Sequence, residues 1–142
     1  MTIARLIRTV QFSAAHRYYR PEWSPERNRE AFGACANEHG HGHTYHCSVT
    51  VSGALAEGTS MVLDLEDFDA ILREEVVDPL DHQHLNFVVP EFAAGTSIPT
   101  AEALAAHVWN RLVGRFPDRV TLYCVRIQED ASLAAEYYGE SE

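Results

Sequence analysis

Two segments near the start of the chain alternate apolar and polar residues, the pattern of half-buried β-strands. They span residues 3–14 and 43–53. The apolar sides hold Leu6, Val10 and Phe12 in the first segment and His43, Tyr45, Cys47, Val49 and Val51 in the second. Arg8 interrupts the first of these sides. We therefore predict two strands, each with one face toward a core.

The middle of the chain changes to apolar residues spaced three and four apart, which indicates amphipathic helices. Asp64 stands where a helix N-cap is expected, with Asp67 three residues later, and Pro79 is expected to end this helix. Thr100 is the expected N-cap of a second helix. The inward-facing positions are Leu65, Phe68, Ile71, Leu72 and Val76 in the first helix and Leu104, Val108, Leu112 and Phe116 in the second.

Shorter elements complete the order along the chain. We expect a short helix capped by Ser24 and ending near Phe32, a short strand or strand end at 61–63, and further strands at 120–129 and 133–138. The main elements then run two strands, two helices, two strands. Because strands and helices do not alternate, this order predicts an α+β fold, with an antiparallel sheet of about four strands and both helices on one face. The length fits one domain over residues 1–142, and two open sheet edges predict a homo-oligomer.

Charge and composition restrict the partners of the chain. It has 21 acidic and 11 basic residues, all of the latter Arg, for a formal net charge of −10. A duplex nucleic acid requires a basic surface and is not expected as a partner. The lack of Lys excludes Schiff-base chemistry, and no apolar run is long enough to predict a membrane span. Three Cys without a C-x-x-C pair indicate reduced thiols in a cytoplasmic protein.

Histidines are the strongest chemical signal in the sequence. Residues two apart on a strand point to the same side, so His41 and His43 can hold one metal ion between them. A third ligand is available in His16, at the end of the first strand, which should pair with the second strand. Three neutral imidazoles without a fourth protein ligand are typical of a catalytic zinc site. We therefore predict Zn²⁺ bound by these three residues.

The histidine series permits two assignments of this pair. His39–His41 and His41–His43 both have the H-x-H spacing. We favour the second, because His43 belongs to the regular alternation of the strand and His39 would then lie in a loop. His84 and His107 have no partner that the sequence reveals, and we expect both to be exposed.

Six segments of the chain, taken in order, resemble one known family. They are 12–16 (FSAAH), Cys35 with 41–45 (HGHTY), 61–65 (MVLDL), 80–86 (LDHQHLN), 99–102 (PTAE) and 125–129 (VRIQE). Together they resemble the 6-pyruvoyltetrahydropterin synthase family, which includes 6-carboxytetrahydropterin synthase. The resemblance covers nearly the whole chain and also implies zinc bound by the three histidines favoured above.

The resemblance implies a tunnelling fold (T-fold) whose sheets join into a barrel, as a homohexamer of two stacked trimers. It implies a catalytic Cys35, a catalytic Asp81–His82 pair and Glu129 as the residue that anchors the pterin ring. The implied substrate is 7,8-dihydroneopterin triphosphate, which loses triphosphate to give a 6-pyruvoyl- or 6-carboxytetrahydropterin.

Two alternatives to this function and product stay open. Five residues separate Cys35 from His41, the spacing of the 6-pyruvoyl type, and the product remains open between the two forms. A non-catalytic zinc- or pterin-binding protein is the alternative function. Cys35, Asp81 and His82 argue against it, because a binding protein does not need them.

Overall fold

A single five-stranded sheet forms the centre of the fold. The computed structural model describes residues 1–140. The strands are β1 (Ile3–His16), β2 (His41–Ala54), β3 (Gln83–His84), β4 (Val120–Asp130) and β5 (Leu133–Tyr137). Their order across the sheet is β3-β1-β2-β4-β5. The α+β class is confirmed; the domain predicted for 1–142 extends two residues beyond the described range.

The sheet departs from the prediction in two places. It has five strands instead of about four, because the two-residue β3 pairs parallel to the end of β1. The strand expected at 61–63 is wrong, since its carbonyls bond groups outside the sheet ladder. The Met61 carbonyl accepts from Ala56 N at 2.8 Å, and the Val62 carbonyl accepts from the Arg119 guanidinium at 2.7 Å.

Six helical segments accompany the sheet, and the main ones begin where the sequence predicts. The segments are α1 (Pro25–Phe32), α2 (Leu65–Leu72), α3 (Asp78–Leu80), α4 (Leu85–Val88), α5 (Pro90–Ala93) and α6 (Ala101–Leu112), with a 3₁₀ turn at Gly33–Ala36. Ser24, Asp64 and Thr100 cap α1, α2 and α6 through their side-chain oxygens. None of the helices in the described residues is both long and apolar enough to cross a membrane.

Pro79 does not end the first long helix at the predicted point. A wider π-type turn at Arg73–Val77 joins α2 to α3, and Pro79 lies inside α3, which ends at Leu80. Proline lacks the N–H that regular helical bonding needs, and the wider turn lies directly before it. The segment from Leu80 to Pro99 also contains β3, α4 and α5, which the sequence pattern did not predict.

The core lies between the sheet and the two long helical segments. All predicted inward positions of these segments are buried or partly buried except Leu65, which is 41% exposed. The opposite face of the sheet carries hydroxyl side chains, such as Thr9 and Ser48 in contact at 2.8 Å. Arg8, the exception on the apolar side of β1, forms an ion pair with Asp69 of α2 at 2.7 Å.

Two asparagines hold the long connection between β1 and β2. Asn28 is fully buried, accepts from Arg20 N at 2.7 Å and donates to Arg20 O at 3.0 Å. Asn86 bonds Arg17 in the same way, with both distances 2.8 Å. Each side chain therefore substitutes for the backbone partner that a neighbouring strand would supply.

We predict that Asn28→Ala lowers the free energy of unfolding by about 1–3 kcal/mol, because it removes a fully buried side chain and leaves the backbone N–H of Arg20 without its partner. Urea unfolding measures the loss. Asn110→Ala is the matched control, since Asn110 is exposed on α6 and should change stability little. Equal stability of the two variants would contradict the structural role of Asn28.

Candidate active site

Three imidazoles converge where β1 ends and β2 begins. In the antiparallel register His16 lies opposite His41, and Ala14 lies opposite His43. The nearest ligand atoms of the three histidines lie within 4.8 Å of one another, and His16 Nε2 is 3.2 Å from His41 Nε2. The residues proposed as metal ligands therefore form one cluster. His39 is exposed and lies outside it.

Gly40 allows the chain to pass close to the backbone of His16 at the start of β2. Its φ is +72°, and a Cβ at this position would lie 2.3 Å from the backbone oxygen of His16. Any side chain would therefore be strained by the backbone and would collide with β1. Glycine at this position lets β2 begin at His41, directly opposite His16.

The orientation of His16 is set by its hydrogen bonds. Its Nδ1 lies 3.0 Å from the carbonyl of Pro99, which can only accept, so Nδ1–H donates and Nε2 keeps a lone pair toward the cluster. Tyr45 Oη is also 2.9 Å from Nδ1. The pKa of His16 is lowered to about 4, mainly by burial and also by the nearby imidazoles of His41 and His43, while the Pro99 bond acts in the opposite direction. The imidazole is therefore neutral at pH 7, as a metal ligand must be.

The carboxylate of Glu129 is buried beside the three imidazoles. It follows Val125 and Ile127 on the core side of β4 and is only 7% exposed. Its Oε1 lies 3.6 Å from His16 Nε2, and its Oε2 lies 3.9 Å from His43 Nε2. A carboxylate this buried is not a solvated strand end.

The cluster fits a divalent metal ion. Among the described residues, His43 Nε2 and Glu129 Oε1 are buried without a hydrogen-bond partner. Such atoms are rare in folded proteins and require an explanation. A cation bound by three neutral imidazoles would satisfy the first atom and offset the negative charge of the second. The donor set, three nitrogens without a fourth protein ligand, matches a zinc site with an open position.

Cys35 is held beside this cluster by its backbone. It lies in the 3₁₀ turn after α1 and is partly buried. Its carbonyl accepts from Tyr18 N at 2.8 Å, two residues beyond His16, and the next carbonyl, of Ala36, accepts from Arg17 Nε at 3.0 Å. The thiol predicted to act on the substrate therefore belongs to a turn that is attached to the end of β1.

Tyr18 is bonded to Cys35 through its backbone and lies beside the imidazole cluster. Its ring packs edge-on against His16 at 5.0 Å between centroids. Burial raises the pKa of Tyr18, and the charges of Glu129, Cys35 and Glu102 raise it further, in that order of strength. The phenol therefore shares one region with the predicted thiol and the predicted pterin anchor.

Asp81 and His82 form the predicted pair but lie elsewhere. Asp81 Oδ2 is 2.9 Å from His82 Nδ1, and Asp81 Oδ1 accepts from Ser13 N at 2.9 Å. The Ser13 bond, followed by the His82 bond, lowers the pKa of Asp81. The His82 side chain is 83% exposed and lines an open cleft of about 570 Å³ with Ser13 and Thr44. The cleft also reaches His43 and His84, and Asp81 and His82 lie at the β1 edge of the sheet, where they bond the backbone of Ser13.

The sequence analysis did not predict the environments of three residues. His84 is not exposed as expected: it stacks on Phe87 at 4.3 Å, and its Nδ1 is buried without a partner among the described residues. His107 is also not exposed, and it pairs with Glu91 at 3.2 Å. Tyr18 had a usable signal, since it lies two residues beyond His16 on the same side of the chain.

Comparison with known proteins decides the family. A family model described as 6-pyruvoyl tetrahydropterin synthase matches residues 5–140. The chain belongs to the 6-pyruvoyl tetrahydropterin synthase family. The human 6-pyruvoyl tetrahydrobiopterin synthase is 39% identical over 137 residues, which are 96% of this chain and 92% of that protein. The 6-carboxy-5,6,7,8-tetrahydropterin synthase of Haemophilus influenzae is 28% identical over 123 residues, 74% of this chain and 84% of that one.

The solved structures support the same assignment. The 6-pyruvoyl tetrahydropterin synthase of Caenorhabditis elegans has a TM-score of 0.90 and 33% identity, covering 99% of this chain and 98% of that one. The predicted tunnelling fold is thereby confirmed. Membership in the 6-pyruvoyl tetrahydropterin synthase family supports an enzyme of the lyase type that acts on a pterin.

We predict that Gly40→Ala weakens metal binding and lowers the free energy of unfolding by about 1–3 kcal/mol, because of its positive φ and its contact with His16. Calorimetric zinc titration and urea unfolding measure the two effects. Gly114→Ala is the control, since a Cβ there would meet open space. A Gly40→Ala protein with parental zinc affinity would refute the close approach.

Proposed function

We propose that the chain is a zinc-dependent lyase that converts 7,8-dihydroneopterin triphosphate, with loss of triphosphate, to a 6-substituted tetrahydropterin. The observation that carries this proposal is the buried carboxylate of Glu129 beside three converging imidazoles. A buried acid without a partner suits a ligand that offers hydrogen-bond donors, and the imidazoles suit a metal ion.

The metal ion of this proposal is Zn²⁺, held by His16, His41 and His43. When bound, it would supply a Lewis acid that polarises the oxygens of the substrate side chain. The Pro99 carbonyl supports the site by holding His16 in the tautomer that presents Nε2.

Glu129 is proposed to anchor the pterin ring. A pterin carries a ring N–H next to an exocyclic amino group, and this donor pair matches the two oxygens of one carboxylate. The core side of β4 surrounds the acid with apolar residues, so the paired bonds form away from water.

Cys35 is proposed as the base. As a thiolate it takes a proton from the carbon next to the one that bears the triphosphate. The electron pair of that C–H bond then forms a double bond as the C–O bond to triphosphate breaks. The turn fixed by Tyr18 N and Arg17 Nε keeps the thiol at the end of β1.

Asp81 and His82 are proposed to serve the zinc site of a neighbouring chain. Asp81 orients the imidazole, the usual arrangement for a proton-transferring histidine. In their own chain they lie at the β1 edge of the sheet, with His82 exposed and without a hydrogen bond or ion pair to the imidazole cluster among the described residues, so the proposal uses a second chain to bring the groups together. We propose a homohexamer, a dimer of trimers, in which the open sheet edges pair.

The product proposed is the 6-pyruvoyl form. The spacing of five residues between Cys35 and His41 supports it, as does the higher identity to the 6-pyruvoyl relatives than to the 6-carboxy relative. We also propose one domain over residues 1–142, in the cytoplasm, where the three free thiols would stay reduced.

A second candidate follows from the exposed position of His82. If the chain stayed monomeric, His82 would have no zinc site to act on, and the protein would be a non-catalytic zinc- and pterin-binding protein. Incubation of the zinc-loaded protein with 7,8-dihydroneopterin triphosphate separates these functions. We expect triphosphate and 6-pyruvoyltetrahydropterin by mass spectrometry. Acetaldehyde with the 6-carboxy product would identify the other synthase, and binding without turnover would identify the binding protein.

We predict one zinc ion per chain, which His41→Ala should lose and His39→Ala should retain, because only His41 belongs to the imidazole cluster. Elemental analysis of the purified variants measures the zinc. Loss of zinc in His39→Ala with retention in His41→Ala would mean that the other H-x-H assignment is correct.

We predict that Cys35→Ala keeps its zinc and its stability but loses turnover by about 100-fold or more, because a positioned base contributes on that scale. Steady-state kinetics measures the loss. Cys124→Ala is the control: Cys124 is a buried strand residue, and its replacement should lower stability by about 1–2 kcal/mol with turnover retained. An active Cys35→Ala enzyme would remove the thiol from the mechanism.

We predict that mixed oligomers of Cys35→Ala and His82→Ala chains regain part of the activity that each variant lacks alone. The reason is that a site could then combine an intact Cys35 with an intact His82 from two chains. Native mass spectrometry verifies the mixture, and kinetics measures the recovery. Verified mixed oligomers without activity would argue for a site built within one chain.

A further inference from the structure

Tyr18 is a polar residue of the candidate site that the proposed mechanism does not use. It follows β1, and its ring packs edge-on against His16 on one side and against Phe32 of α1 at 5.9 Å on the other. Its backbone N–H is bonded to Cys35 O at 2.8 Å. Both ends of the residue are therefore held, and the phenol cannot move freely out of the site.

The phenol lies in the same region as the two groups that are proposed to contact substrate. Tyr18 and Glu129 both lie beside His16, the first with ring centroids 5.0 Å apart and the second with Oε1 3.6 Å from Nε2, and the backbone of Tyr18 is bonded to Cys35. Tyr18 is partly exposed and its oxygen forms no hydrogen bond with the described residues, so a ligand can approach it. At neutral pH a phenol is uncharged and has one O–H to donate.

A pterin has two hydrogen-bond acceptors between the part that Glu129 would bind and the part on which Cys35 would act. Along one edge of the ring the groups follow in fixed order: the N–H that Glu129 would bind, the C4 carbonyl, N5, and the carbon that bears the side chain on which Cys35 would act. The carbonyl oxygen O4 and N5 are both acceptors, and neither can pair with a carboxylate. A site that excludes water must offer this pair a donor, since an unpaired buried acceptor is costly.

Other side chains near Glu129 are less suited to this task. Tyr45 is fully buried, with its oxygen 2.9 Å from His16 Nδ1, so a ligand cannot reach it. The Nε2 lone pairs of His16 and His43 are reserved for the metal ion. Tyr18 is the phenol near Glu129 that no such bond occupies within the described residues.

Resting on the function proposed above, we propose that Tyr18 is a substrate-binding residue whose hydroxyl donates to the O4–N5 edge of the pterin, between the contacts of Glu129 and Cys35. Tyr18 thereby fixes the rotation of the ring about its anchored end. It selects ligands that present acceptors at both positions. The proton stays on the phenol, so the role is recognition and not proton transfer.

The test compares two ligands on the zinc-loaded protein: neopterin, and 5-deazaneopterin, in which C–H replaces N5 while the donors for Glu129 remain. We expect Tyr18→Phe to raise the Kd for neopterin about tenfold, the effect of one lost hydrogen bond at a buried site. For the deaza ligand the increase should be smaller, about threefold, because only O4 is left to accept. Calorimetry measures the four affinities, and zinc content should stay parental.

Tyr19→Phe is the matched control. The Arg17 guanidinium lies 3.8 Å from the ring centre of Tyr19, a contact that phenylalanine preserves, so neither affinity should change. Equal losses for both ligands in Tyr18→Phe would overturn the proposal, because they would indicate a structural effect or a contact with the side chain.

Two further outcomes would also overturn it. Parental affinities in Tyr18→Phe would defeat this inference alone and leave the proposed function standing. A parent protein that binds neither ligand would defeat both.

Discussion

The hydrogen bond between His16 Nδ1 and the Pro99 carbonyl is the interaction on which the site depends. It joins the last residue of β1 to the residue before the N-cap of α6, across 83 positions of sequence, in a place with no exposure to water. Because a carbonyl can only accept, the bond fixes which nitrogen of His16 faces the cluster. Burial keeps this imidazole neutral. The lone pair of His16 Nε2 then faces His41 and Glu129.

The register of β1 and β2 positions the other two proposed metal ligands. His41 and His43 face His16 only because β1 and β2 pair in one register, and a slip of one residue would turn both imidazoles to the opposite face. The connection between β1 and β2 returns to the end of β1. There Gly40 permits a close approach to His16, and the turn of Cys35 is bonded to the backbone of Tyr18. Asp81 and His82 lie at the β1 edge of the sheet, bonded to the backbone of Ser13, and the His82 side chain is exposed to solvent.

Local patterns predicted the parts of this arrangement that are local. Alternation in β2 gave the imidazole pair and the core face, and Ser24, Asp64 and Thr100 were identified as caps from their types and positions. What escaped prediction depends on distant contacts. The pairing of β3 with β1 and the bond from Pro99 to His16 leave no mark on nearby spacing. The positions of Tyr18 and His84 depend in the same way on how the connection and the segment after α3 fold back onto β1.

The central claim is that three imidazoles around a buried acid bind zinc, with the neighbouring thiol free to act as a base. X-ray absorption at the zinc edge of the metal-loaded protein tests it most directly, because nitrogen and sulfur ligands lie at different distances. The account predicts a shell with three histidine nitrogens at about 2.0–2.1 Å and no sulfur. A sulfur shell at about 2.3 Å would mean that Cys35 is a ligand and not a base, and would contradict the account.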